Sequence, residues 1–141
     1  MANITLVAPV RLASESGLGT ITGIAGEAID PEGASEIACY VAADGLIYKS
    51  VAIAAGVGAQ FDGMCTVKTA AGSPVRLFQQ GYKIYVGAHG LAIGAFVFTS
   101  VNAGLLADAT AGVLPEEPIG KALSSTVIEI TRMDRPNINN T

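Results

Sequence analysis

The chain has one histidine, His89, and two cysteines, Cys39 and Cys65, and metal or nucleophilic chemistry would have to start from these. A zinc site needs three or four His, Cys or carboxylate ligands at workable spacing. His89 lies in Ala88-His89-Gly90, which reads as a turn, and no second ligand stands near it in sequence. The cysteines make no C-x-x-C pair. They read as small buried thiols of a chain made in a reducing cytoplasm, with a disulfide possible but not indicated. Ser73 in Gly72-Ser73-Pro74 lacks the G-x-S-x-G frame of a nucleophile elbow. Gly17-Leu18-Gly19 and Gly56-Val57-Gly58 do not complete G-x-G-x-x-G, and neither opens a long helix. Glu116-Glu117 is flanked by prolines and reads as a solvated loop. No catalytic, cofactor-binding or metal-binding set emerges, so the expectation is a protein that is not an enzyme and uses no cofactor.

The composition points to contact rather than chemistry. The 141 residues fit one domain, with 50% hydrophobic and only 14% charged residues. An ordinary domain carries about 25% charged residues. So little charge leaves much surface to face other protein, in a homo-oligomer or a larger assembly. Net charge is −4 and the Lys and Arg residues are scattered, so no nucleic-acid interface is expected. The N-terminus, MANITLVAPVRLASES, lacks the basic and long apolar regions of a signal peptide. Residues 84–107 carry no formal charge and are long enough to span a bilayer. Gly87, Gly90, Gly94 and Gly104 interrupt them, and Phe96-Val97-Phe98-Thr99 favours strand, so no membrane helix is expected.

The elements that must position these residues are short strands between glycine turns. Residues 1–34 read as an extended lead-in or arm, because Gly17, Gly19, Gly23 and Gly26 are too dense for a helix. Such an arm must lie on its own domain, a sister subunit or a partner. From residue 35 the pattern is β, with Ile37, Cys39 and Val41 alternating with Ala38 and Tyr40. Ala43-Asp44-Gly45 predicts a hairpin to Leu46–Val51, with Asp-Gly supplying positive backbone angles. Strands are expected at Met64–Lys68, Val75–Gln79, Tyr82–Val86, Phe96–Ser100 and Val127–Thr131. The turn glycines would be Gly45, Gly63, Gly81, Gly90, Gly104 and Gly120. Turn signals about every 8–12 residues predict an all-β barrel or sandwich of short antiparallel strands. The β-domain would run over 35–133, with a loose tail at 134–141.

The order of these motifs carries a resemblance. Asp44-Gly45-Leu46 is followed by Gly63-Met64-Cys65 and Thr69-Ala70-Ala71-Gly72. Val75-Arg76-Leu77, Gly81-Tyr82-Lys83-Ile84-Tyr85-Val86, Asn102-Ala103-Gly104-Leu105 and Ile119-Gly120-Lys121-Ala122-Leu123 come next. In this order, over roughly Asp44 to Met133, the chain resembles the small decoration (cement) proteins that coat the heads of tailed phages. The resemblance implies a compact, β-tulip-like domain that is usually a homotrimer. Its partners would be the major capsid protein and further copies of itself. It would be made in the host cytoplasm and sit on the outer capsid surface of the virion, where capsomers meet in the expanded head. From the scattered basic residues and the interrupted apolar run, no membrane and no nucleic acid is expected as partner.

Candidate capsid or subunit contacts are Ile4, Leu6, Val10 and Leu12 in the lead-in, and Tyr85, Phe96 and Phe98, where strand alternation turns an aromatic outward. Removing residues 1–25 is expected to weaken capsid binding more than folding, and His89 is expected to be dispensable. The alternatives are another trimeric phage module, such as part of a head fibre or tail tip, and a small β-barrel ligand-binding protein.

Overall fold

The computed structural model describes residues 3–4, 10–13, 19–51, 60–100, 102–108 and 118–131. Leu6, Glu116, Glu117 and the tail at 134–141 lie outside them. Among the described residues the protein is all-β, with twelve short strands in two sheets. The seven-stranded sheet contains β1 (Asn3–Ile4), β2 (Arg11–Leu12), β8 (Lys83–Tyr85), β9 (Phe96–Thr99), β10 (Leu106–Ala107), β11 (Gly120–Ala122) and β12 (Val127–Ile130). Its spatial order is β1-β10-β9-β11-β12-β8-β2. The five-stranded sheet contains β3 (Thr20–Ile24), β4 (Ala38–Val41), β5 (Ile47–Lys49), β6 (Gly63–Met64) and β7 (Pro74–Phe78), in the order β3-β7-β6-β4-β5. The uncharged run at 84–107 forms strands β8, β9 and β10.

The larger sheet must curl. Its edges, β1 and β2, are joined by the chain from Ile4 to Arg11, which reaches at most about 25 Å. Six strand spacings in a flat sheet would hold the edges about 29 Å apart. The curl encloses a core in which Ile84, Val97, Leu106, Ile128 and Ile130 are fully buried. The smaller sheet closes that core with Ala38, Met64 and Phe78. Burying each large aliphatic side chain stabilises the fold by about 1.5–3 kcal/mol.

The smaller sheet is covered on its other face as well. Cys39, Ile47, Val75 and Leu77 point into a second core, capped by Ala25, Ile29 and Cys65. Strand alternation decides the assignment: Ala38 and Phe78 go to one core, and Cys39 and Leu77 to the other. The Ile29 and Thr69 main chains exchange two hydrogen bonds of 2.9 Å, which hold the cap in place. Ile37 departs from the expected alternation. It precedes β4, donates to Gly104 O at 2.8 Å, and joins the first core while Cys39 and Val41 serve the second.

The described parts of the lead-in, residues 3–4, 10–13 and 19–34, lie on the domain itself. Residues of β1, β2 and β3 supply three of the four sheet edges. Ile4 and Val10 are buried in the first core, and Ala25 and Ile29 in the second. The boundary drawn at residue 35 therefore does not separate an arm from the β-domain, because strand pairing and core burial cross it.

Several turns form as read, with one difference in kind. Gly45 N–H donates to Ala42 O at 2.9 Å, and Ala42 N–H to Leu46 O at 2.9 Å. This is a three-residue hairpin loop in which Gly45 alone takes a positive φ, of 84°, rather than an Asp-Gly pair sharing it. Gly81, Gly90 and Gly104 also have positive φ. Gly63 and Gly120 do not belong to turns. They lie in β6 and β11, where a Cβ would meet Phe78 O and Glu129 O respectively, each at 2.7 Å. Close approach of neighbouring backbone, not turn geometry, requires glycine there.

Candidate interaction surface

The residues with chemical potential do not converge. His89 is buried, with Nε2 2.7 Å from Ser124 O and Nδ1 accepting the Leu91 N–H at 3.0 Å. The backbone N–H of Leu91 can only donate, so Nδ1 carries no proton and Nε2–H donates to Ser124. The ring is committed to bracing two loops. Cys39 and Cys65 are free, buried thiols in the second core. Burial pushes both thiols above the ordinary value, Cys39 further than Cys65. Among the described residues no three His, Cys, Asp or Glu side chains cluster as metal ligands.

Three of the interface candidates do converge. Residues paired across antiparallel strands share a face. Phe96 pairs with Lys121, Lys121 with Glu129, and Glu129 with Lys83, across β9, β11, β12 and β8. Tyr85 pairs with both Val127 and Arg11. Alternation along β8 and β9 puts Tyr85, Phe96 and Phe98 opposite the buried Ile84 and Val97. All three thus lie on the outer face of the curled sheet. Phe96 is 54% exposed, and the Arg11 guanidinium stacks 4.1 Å from the Tyr85 ring centre. Glu129 stands between two lysines in its row, so opposite charges alternate across the strands.

The lead-in candidates have a different role. Ile4 and Val10 are buried, and Leu12 packs against the first core. Pairing of β1 with β10 and of β2 with β8 turns them inward.

No protein family, curated protein or solved structure matches the chain. The surface must therefore be read from its own residues.

Sequence reasoning missed the most exposed large apolar side chain among the described residues, Ile93, at 74% exposure. Ala95 N–H donates to Ala92 O at 3.0 Å, and Gly94 has φ 89°. These features define a type II turn with Ile93 at its tip. The pair Ile93-Gly94 was the available signal, since the residue before the turn glycine projects outward. Gly94 N–H donates to Ala122 O at 2.7 Å, which fixes this tip to β11 beside the Phe96 row. Val67 is exposed on a cleft between β7 and the segment after β6, and Ile24 is exposed at the end of β3.

Proposed function

We propose that the chain is a capsid decoration protein of tailed phages. It is made in the host cytoplasm and binds the outer surface of the expanded head at capsomer junctions. Its partners are the major capsid protein and two further copies of itself. The observation that carries this reading is the order of motifs from Asp44 to Leu123. They fall in turn on the β4–β5 hairpin, β6, the turn before β7, β7, β8, the turn before β10, and β11. The low charge supports it, as does the outer face bearing Phe96 and the neighbouring Ile93 tip. An exposed aromatic anchor bordered by charged side chains suits a protein–protein contact.

Such a protein performs no reaction. It binds an arrangement of neighbours that exists only after expansion, and stabilises that state by mass action. Three linked copies at one junction add avidity without new kinds of contact. A rigid double-layered β-domain loses little conformational entropy on docking.

The deciding experiment is co-sedimentation of the purified protein with undecorated expanded heads, with unexpanded procapsids as control. Saturable binding to expanded heads alone is the expected result, and the double substitution I93S and F96S should abolish it. Absence of binding to either particle would refute the reading and favour a fibre component or a ligand binder.

A further inference from the structure

We infer that the wedge between β6 and β7 is a docking groove for an extended, acidic peptide segment of another polypeptide, which enters as an added strand. The strand register settles where the β7 main chain points. Gln79 N–H donates to Gly19 O at 3.1 Å, and Ala25 N–H donates to Ser73 O at 2.9 Å. Antiparallel neighbours bond at alternate residues. In the same phase, Leu77 and Val75 bond to their partners Ile21 and Gly23 on β3. The N–H and C=O of Arg76, and the C=O of Pro74, therefore face away from β3.

On that side β6 offers them no partner. The ladder between β6 and β7 consists of one pair, Met64 with Phe78. Cys65 still follows the β4 register, its N–H donating to Ile37 O at 2.8 Å, and beyond it the chain runs to Thr69, which pairs with Ile29 rather than with β7. The two segments part like a wedge. The opening encloses about 400 Å³, and Thr66, Val67, Thr69, Pro74, Val75 and Arg76 are among its walls. An unpaired strand edge is a template for another strand.

The walls specify what kind of strand. Val67 is 67% exposed, and Ile24, the register partner of Pro74, is 41% exposed. Val67 and Pro74 line the opening and fit an aliphatic side chain of a guest, and Ile24 lies beside Pro74 on β3. Arg76 is exposed, and among the described residues it has no carboxylate partner and no Asp or Glu lines the wedge. A guest carboxylate opposite Arg76 would be paired there. The main-chain edge favours a peptide over a small apolar molecule, which would leave those groups unmatched. None of this depends on the decoration reading.

The test uses the full-length, ¹⁵N-labelled protein and the blocked pentapeptide Thr-Val-Glu-Val-Thr. Its controls are the same peptide with Lys for Glu and a version N-methylated at alternate amides. Saturating Glu peptide should slow hydrogen exchange of the Arg76 amide by about tenfold or more. Shift changes should be confined to the amides of 66–69 and 75–77. The Lys peptide should bind about fivefold more weakly, and R76E should reverse that preference. V67K alters an exposed side chain outside both cores and should block the wedge without unfolding the protein. The proposal is overturned if the Arg76 amide stays unprotected at millimolar peptide. Equal binding of the N-methylated peptide, or shifts without exchange protection, would also overturn it and indicate a site for small apolar molecules instead.

Discussion

His89 Nε2 lies 2.7 Å from the carbonyl of Ser124, 35 residues further along the chain. With the Leu91 N–H bonded to Nδ1 at 3.0 Å, the ring ties the loop after β8 to the β11–β12 turn. Replacing His89 with Ala strands one buried donor and one acceptor, which should cost about 1–3 kcal/mol. The lowered urea midpoint would show it, while binding per folded molecule should stay as in the parent. Nitrogen NMR should find the proton on Nε2. An unchanged midpoint would mean that the brace contributes nothing.

Gly63 and Gly45 need glycine for different reasons, and their alanine variants should separate them. A Cβ at Gly63 would meet Phe78 O at 2.7 Å and Leu77 Cβ at 2.8 Å, between two strands that cannot part freely. Overpacking there should cost about 1–3 kcal/mol, and the Met64–Phe78 pairing should loosen. A Cβ at Gly45 would meet nothing within 4 Å, so Gly45→Ala should cost only the positive-φ penalty, about 1–2 kcal/mol. Chemical denaturation gives both costs. Exchange of amides in β6 and β7 should rise for Gly63→Ala alone.

The two thiols should be silent in the folded protein and should report on alkaline stability. Burial raises both above their ordinary value of 9.0, so the native state resists forming thiolates that the unfolded chain forms readily. The resulting contribution to stability is complete below 9.0 and is lost as pH rises from there through the raised native values. Ellman's reagent should modify neither thiol at neutral pH, and both in urea. Unfolding midpoints should fall above 9.0 in the parent and fall less in a C39A and C65A double variant. A parallel decline in the two proteins would remove the thiols from the explanation.

Deleting residues 1–13 should damage folding first. The expectation from sequence was the reverse, that loss of residues 1–25 would weaken capsid binding more than folding. Removing β1 and β2 takes Ile4 and Val10 out of the first core, at about 1.5–3 kcal/mol each. It also bares the edges of β10 and β8, which then become templates for aggregation. Calorimetry should show a lower Tm, and sedimentation should show self-association beyond any native oligomer. A truncated chain with the parent Tm would return the segment to the role of a detachable arm.

Much of the local structure was legible because it depends on local causes. Asp44-Gly45, Gly81, Gly90 and Gly104 marked turns because positive φ costs a side-chain-bearing residue more than glycine. Val75 and Leu77 fell on one face, and Arg76 and Phe78 on the other, because strand alternation is a property of the backbone. The same rule exposed Tyr85, Phe96 and Phe98 together once their strands were placed in one sheet.

What stayed hidden depends on partners distant in sequence. Ile4 and Val10 looked like the contacts of a free arm, and they become core because β10 pairs with Ile4 and β8 with the strand just after Val10, some 70 to 100 residues away. Gly63 and Gly120 looked like turn glycines, but facing strands press on them. His89 reads as a turn residue in its tripeptide and becomes a brace only because Ser124 folds back onto it. By itself the sequence determined the all-β class, the places where the chain reverses and the alternation of each strand, since these follow from φ preferences and side-chain periodicity. The tertiary structure decided which edges are closed, which core each face serves, and where β6 and β7 part, because those outcomes depend on pairing between segments that no local pattern encodes.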